Sequence, residues 1–142
     1  MGKEKLAGST KSITVSESDR MIDLVRNFIV LRADGSLESK AQGAGAPPRI
    51  DGHSIGIWET DRPAPHNGEM HPDGDELIIV IEGAIIVKYD GHIAVPIGQG
   101  EAHIVRRGVW HRVIPQGRCR LLYLTPGPNG EFRTTDDAPR SS

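Results

Sequence analysis

The feature that most constrains this chain is its punctuation. Its apolar residues fall in short, β-branched runs, and a glycine or proline turn cuts each run before it reaches helical length. Glu76-Leu-Ile-Ile-Val-Ile-Glu82 is the strongest run; it stops at Gly83, and Ala84 to Lys88 reads as the return strand. Tyr89-Asp-Gly91 then turns the chain into His92 to Pro96, Gly98-Gln-Gly100 turns it into Ala102 to Arg106, and Arg107-Gly108 precedes Trp110 to Ile114. Arg118 to Leu124 is the last strong run, before the Pro and Gly residues that follow Thr125. Upstream, Asn27 to Ala33 ends at Asp34-Gly35, and His53 to Thr60 alternates with Ile55 and Ile57 on one face. About eight or nine short strands with no crossover helices between them predict an all-β sandwich or barrel, not an α/β fold.

The 142 residues suit one domain. The pattern divides them into an N-terminal arm over 1–26, a β barrel over 27–125 and a polar tail over 126–142. Ser18 is placed to cap a short helix in the arm, with an edge strand as the alternative. Ala41 to Pro48 reads as a loop, and the prolines of Arg62-Pro-Ala-Pro-His-Asn-Gly68 make that stretch a crossing or rim loop.

Charge and composition exclude several functions. With 17 Lys and Arg against 19 Asp and Glu, the net charge of -2 supplies no long-range field toward nucleic acid or an anionic membrane. No run approaches the roughly twenty apolar residues of a bilayer span, and Met1-Gly-Lys-Glu-Lys-Leu6 leads into no signal-like stretch, so a cytoplasmic protein is expected. Gly98-Gln-Gly100 lacks the lysine and helix of a phosphate loop. Cys119 is the only cysteine, which rules out an intramolecular disulfide and a multi-thiolate metal site; on a strand it reads as a buried small hydrophobe.

The chemistry concentrates in His66-Asn-Gly-Glu-Met-His-Pro-Asp-Gly-Asp-Glu76. On extended backbone Glu69 and His71 point to one side, and a turn through Asp73 and Asp75 can return Glu76 against His71. His111, on a later strand, is the fourth candidate for a mixed nitrogen and oxygen metal site. His66 has the wrong parity for a flat strand, but Asn67-Gly68 can bend the chain, so it is a fifth candidate. His53 and His103 read as strand histidines outside the metal pattern, His92 as turn surface, Trp58 as a core or dimer-interface residue, and Trp110 as facing away from the cavity. Arg106-Arg107 reads as one solvated arginine and one rim salt bridge, or as an anion contact; Lys88 and Tyr89 offer contacts of the same kind.

These spacings resemble the two motifs of the cupin superfamily. The first usually has His, one residue, His, three or four residues, Glu, six residues and Gly; here Glu69 stands at the first histidine position, followed in register by His71, Glu76 and Gly83. In the second, Gly100, Gly108 and His111 match, while Arg106 replaces the usual proline and Pro115 the usual asparagine. The resemblance implies a jelly-roll (double-stranded β-helix) barrel, often a homodimer, with the motif residues in its mouth.

It also implies one divalent transition metal, Mn, Fe, Ni or Zn, held by Glu69, His71, Glu76 and His111. Many enzymatic members use three His and one Glu, so Glu69 is a departure; if it is not a ligand, it is a candidate proton-transfer catalyst. Two functions follow. One is a metal-dependent isomerase, lyase, decarboxylase or oxygenase acting on a small organic substrate; the other is a non-catalytic ligand-binding or sensor domain.

Overall fold

Eleven strands run through the residues that this computed structural model describes, 12–16, 21–45 and 47–134. They are β1 (Asn27–Leu31), β2 (Leu37–Ala41), β3 (Gly52–Thr60), β4 (Glu69–Met70), β5 (Glu76–Glu82) and β6 (Ala84–Tyr89), then β7 (Ala94–Gly98), β8 (Ala102–Val105), β9 (His111–Pro115), β10 (Cys119–Gly127) and β11 (Glu131–Phe132). One sheet has the order β2-β1-β3-β10-β5-β8 and the other β11-β4-β9-β6-β7. All pairings are antiparallel, and the two sheets face each other as a jelly-roll barrel. Among the described residues no helix is long and apolar enough to cross a membrane.

Strand periodicity explains both the core and the position of the candidate site. Along β5, Glu76, Ile78 and Val80 are buried at alternate positions, so the carboxylate shares the inner face with the core. On β9 the inner face carries His111 and, two and four residues on, Val113 and Pro115, which pair with Tyr89, Val87 and Ile85 of β6. Ile78, Val80, Ile85, Val87, Ile97, Val105, Cys119 and Leu121 fill the space between the sheets, and Trp58 packs against them. Each fully buried aliphatic side chain contributes about 1.5–3 kcal/mol. The polar residues Glu76 and His111 therefore sit at one end of a dry core.

Gly83 shows why the first motif ends in glycine. Its φ is 83°, and a Cβ there would lie 2.6 Å from the Arg118 carbonyl oxygen, so the β5–β6 turn admits no side chain.

The strand reading holds for the long runs and changes at the edges. Ser18 lies outside the described residues, and within them Asp23 to Asn27 forms a single hydrogen-bonded turn. The Asp23 carbonyl accepts from the Arg26 and Asn27 N–H groups, and the Asp23 carboxylate accepts from Val25 N–H. β2 was not anticipated, because an edge strand of sequence LESKA is held by ladder bonds to β1 and carries no apolar alternation. β7 begins at Ala94, since His92 occupies the turn with φ 65°. The sheets also continue past Leu124: β10 extends to Gly127, and β11 pairs with β4.

Candidate metal centre

Three strands deliver the cluster. β4 supplies Glu69, the residue just beyond it is His71, β5 opens with Glu76, and β9 opens with His111, which pairs with Glu69 across the β4–β9 ladder. One ligand atom from each of Glu69, His71, Glu76 and His111 lies within 4.8 Å of all the others. His111 Nε2 is 3.1 Å from Glu76 Oε1 and 3.3 Å from Glu69 Oε1. His71 Nε2 is 3.1 Å from Glu76 Oε2 and 3.9 Å from Glu69 Oε1.

The surroundings orient these groups. His111 Nδ1 donates to the Val109 carbonyl at 3.1 Å, which leaves Nε2 facing the cluster. The Thr125 hydroxyl donates to Glu76 Oε2 at 2.6 Å and fixes that carboxylate. Gly108 N–H donates to the His71 carbonyl at 2.9 Å, tying the loop before β9 to the first motif. Asp75 accepts from the Arg107 N–H and pairs with the exposed Arg106, while Asp73 accepts from the backbone and side-chain amides of Asn129. Both turn aspartates thus pin loops around the site.

Burial and charge are matched within the cluster. The side chains of His71, Glu76 and His111 are at most 5% exposed, whereas Glu69 is 20% exposed and marks the open side. Burial pulls His71 and His111 toward the neutral form, but the two carboxylates beside them outweigh it, raising His71 to about 9 and His111 to about 10. Burial pushes Glu69 and Glu76 upward, yet contact with the two imidazoles holds both below the ordinary carboxylate range.

This donor set fits a divalent cation. Two carboxylates neutralise two positive charges, and neutral imidazole nitrogens complete a mixed nitrogen and oxygen shell. His71 makes the strongest case: its ring is buried, and neither nitrogen has a hydrogen-bond partner even though Nε2 lies beside a carboxylate oxygen. A buried imidazole nitrogen that converges with carboxylate oxygens outside hydrogen-bond geometry is a donor that a metal would satisfy once its proton leaves.

His66 stands at the margin. Its Nε2 is 3.9 Å from the outer Glu69 oxygen, its Nδ1 accepts from Gly68 N–H, and its ring packs on Phe132. His103 is satisfied by the Tyr89 hydroxyl at 2.6 Å, across from the other sheet. Thr125 and the Tyr89–His103 pair escaped the sequence reading, since only the sheet register brings them to this end of the barrel. Trp110 turns outward, where Arg133 stacks 4.2 Å over its ring.

A jelly-roll barrel whose inner end carries a His and Glu cluster able to bind a metal defines the class. The cupin-domain family matches residues 60–125, so that stretch of the chain, which holds the whole cluster, is a cupin domain. Similar solved structures include a cupin-2 domain-containing protein from Shewanella frigidimarina, at 20% identity and TM-score 0.47, covering 52% of this chain and 70% of that one. A cupin superfamily protein from Desulfitobacterium hafniense is 18% identical with TM-score 0.47, covering 61% and 82%. A conserved double-stranded β-helix protein from Klebsiella pneumoniae is 16% identical with TM-score 0.49, covering 58% and 76%. No curated protein matches the chain.

Proposed function

We propose that the protein binds one divalent transition metal ion, Mn, Fe, Ni or Zn, through Glu69, His71, Glu76 and His111, and uses it to process a small organic substrate. The observation that carries this reading is the convergence of four ligand atoms within 4.8 Å around a buried imidazole that has no hydrogen-bond partner. A bound ion would polarise a substrate oxygen and stabilise charge developing on it. Glu69, on the exposed side, would meet the incoming molecule first and is the residue placed to move a proton if its carboxylate leaves the ion. Isomerase, lyase, decarboxylase and oxygenase chemistry all fit these roles. The homodimer that the family resemblance implies belongs to the same proposal and is read directly by light scattering.

Metal analysis of protein prepared without chelator tests the centre, with about one equivalent per chain expected. Glu76→Gln should remove that metal. Failure to take up any transition metal after reconstitution would refute the proposal. Stoichiometric metal without turnover of oxo acids, sugars or diketones would instead support a ligand-binding or sensor domain.

A further inference from the structure

The strand that sends His111 into the barrel turns Arg112 the other way. On the outer face of the five-stranded sheet Arg112 lies directly opposite Lys88, as their pairing register requires. Like charges facing each other across a ladder oppose pairing, and a sheet normally offsets them with a nearby carboxylate. Here, among the described residues, neither cation has an ion-pair partner, and Arg112 Nε is buried with no acceptor. A buried charged donor left without an acceptor is a cost that the folded chain carries.

Both residues line a cavity of about 480 Å³, within the usual size range of small-molecule sites. Arg133 forms a fixed wall: it holds Asp90 through two contacts of 2.9 Å and stacks on Trp110. That pair cancels its own charge, so Lys88 and Arg112 leave the cavity two positive charges in excess. His111 also borders the cavity, but its side chain is 0% exposed, so β9 presents backbone there. On β9, Arg112 therefore serves the cavity while the side chain of its neighbour His111 serves the His and Glu cluster.

We infer that this outer pocket is a second ligand site, taking a small phosphate monoester whose phosphate lies between Lys88 and Arg112. A monoester carries about -1.5 to -2 charge near pH 7, which matches the two cations, whereas a monocarboxylate matches only one. The guanidinium fork suits phosphate oxygens, and the volume leaves room for the organic part. This site does not depend on the metal proposal.

The test is calorimetric titration of the full chain with glycerol phosphate and with inorganic phosphate, before and after chelator treatment. Saturable binding that weakens with salt and is unchanged by chelation is expected. Lys88→Gln and Arg112→Gln should each lower affinity on the order of ten- to a hundredfold, with Arg112→Lys in between because it keeps charge without the fork. Lys88 is exposed, so its variant keeps the fold and decides the matter if Arg112→Gln does not express. Lys88→Gln should also take up metal like the parent. No saturable binding by the parent would overturn the inference. So would binding that survives both glutamine variants, or binding that disappears with chelator, which would place the phosphate at the metal centre.

Discussion

Metal uptake should release close to two protons at neutral pH. In the metal-free cluster His71 is raised to about 9 and His111 to about 10, because Glu69 and Glu76 stabilise the imidazolium forms. At pH 7 each ring is therefore about 99% protonated or more, while an imidazole must be neutral to bind metal. Both carboxylates are held below their ordinary range, so they are already ionised and release nothing. Two protons exchanged for one ion make the binding constant rise about a hundredfold per pH unit, or about 2.7 kcal/mol, until His71 begins to titrate near pH 9. Calorimetry in buffers of different ionisation enthalpy counts these protons directly, and competition with a chromogenic chelator gives the slope. Release of fewer than about 0.5 protons near pH 7 would refute the coupling, since it would mean that the carboxylates do not hold the rings charged.

Without metal, the raised histidines contribute stability that is complete below about pH 6.5 and is lost as pH climbs through 9 to 10; the depressed glutamates contribute above about pH 4.5 and lose their share on acidification. Thermal melts of the metal-free protein should thus peak on the mildly acidic side of neutrality, and a Tm that rises steadily to pH 10 would contradict this. Glu69→Gln should weaken metal binding more than about a hundredfold, beyond the usual 10–100-fold of outer-sphere changes, and should reduce proton release; unchanged affinity in a chelator competition would remove Glu69 from the ligand set. Thr125→Val takes away the 2.6 Å donor to Glu76 and should cost about 10–100-fold in metal affinity in the same assay. Ile85→Ala, at a fully buried core position away from the cluster, should cost about 2–5 kcal/mol in urea unfolding while leaving metal stoichiometry intact.

The fold was legible where burial writes a period into the sequence. β5 alternates because one face meets the core, and the turns at Gly83, Gly91, Gly100 and Gly108 require positive φ, so both signals survive in composition. β2, β4 and β11 left no such record. Two are only two residues long, and β2 is an edge strand whose stability comes from backbone bonds that any side chain permits. The grouping of the four cluster residues was readable for a related reason: a side chain that enters a cluster from the start of a strand must keep its spacing to the turn beside it. Thr125 and Glu76, by contrast, meet only because β10 lies beside β5 in the sheet. Nothing local in the sequence expresses that register.

The substitution at Glu69 follows the same logic and carries a chemical consequence. At that position on β4 the side chain pairs with His111 across the ladder, and the Glu69 carboxylate reaches the cluster. A three-His, one-Glu shell around a divalent ion keeps one net positive charge. Two carboxylates cancel it. A neutral loaded centre is less costly to keep in the dry end of the barrel, and it pulls less strongly on anionic molecules from solution. The uncompensated positive charge instead stands one residue away on the other face of β9, at Arg112 opposite Lys88. Under the two proposals above, a substrate neutral at its reacting end and a separate anion on the outer face is the division of labour that this charge placement favours.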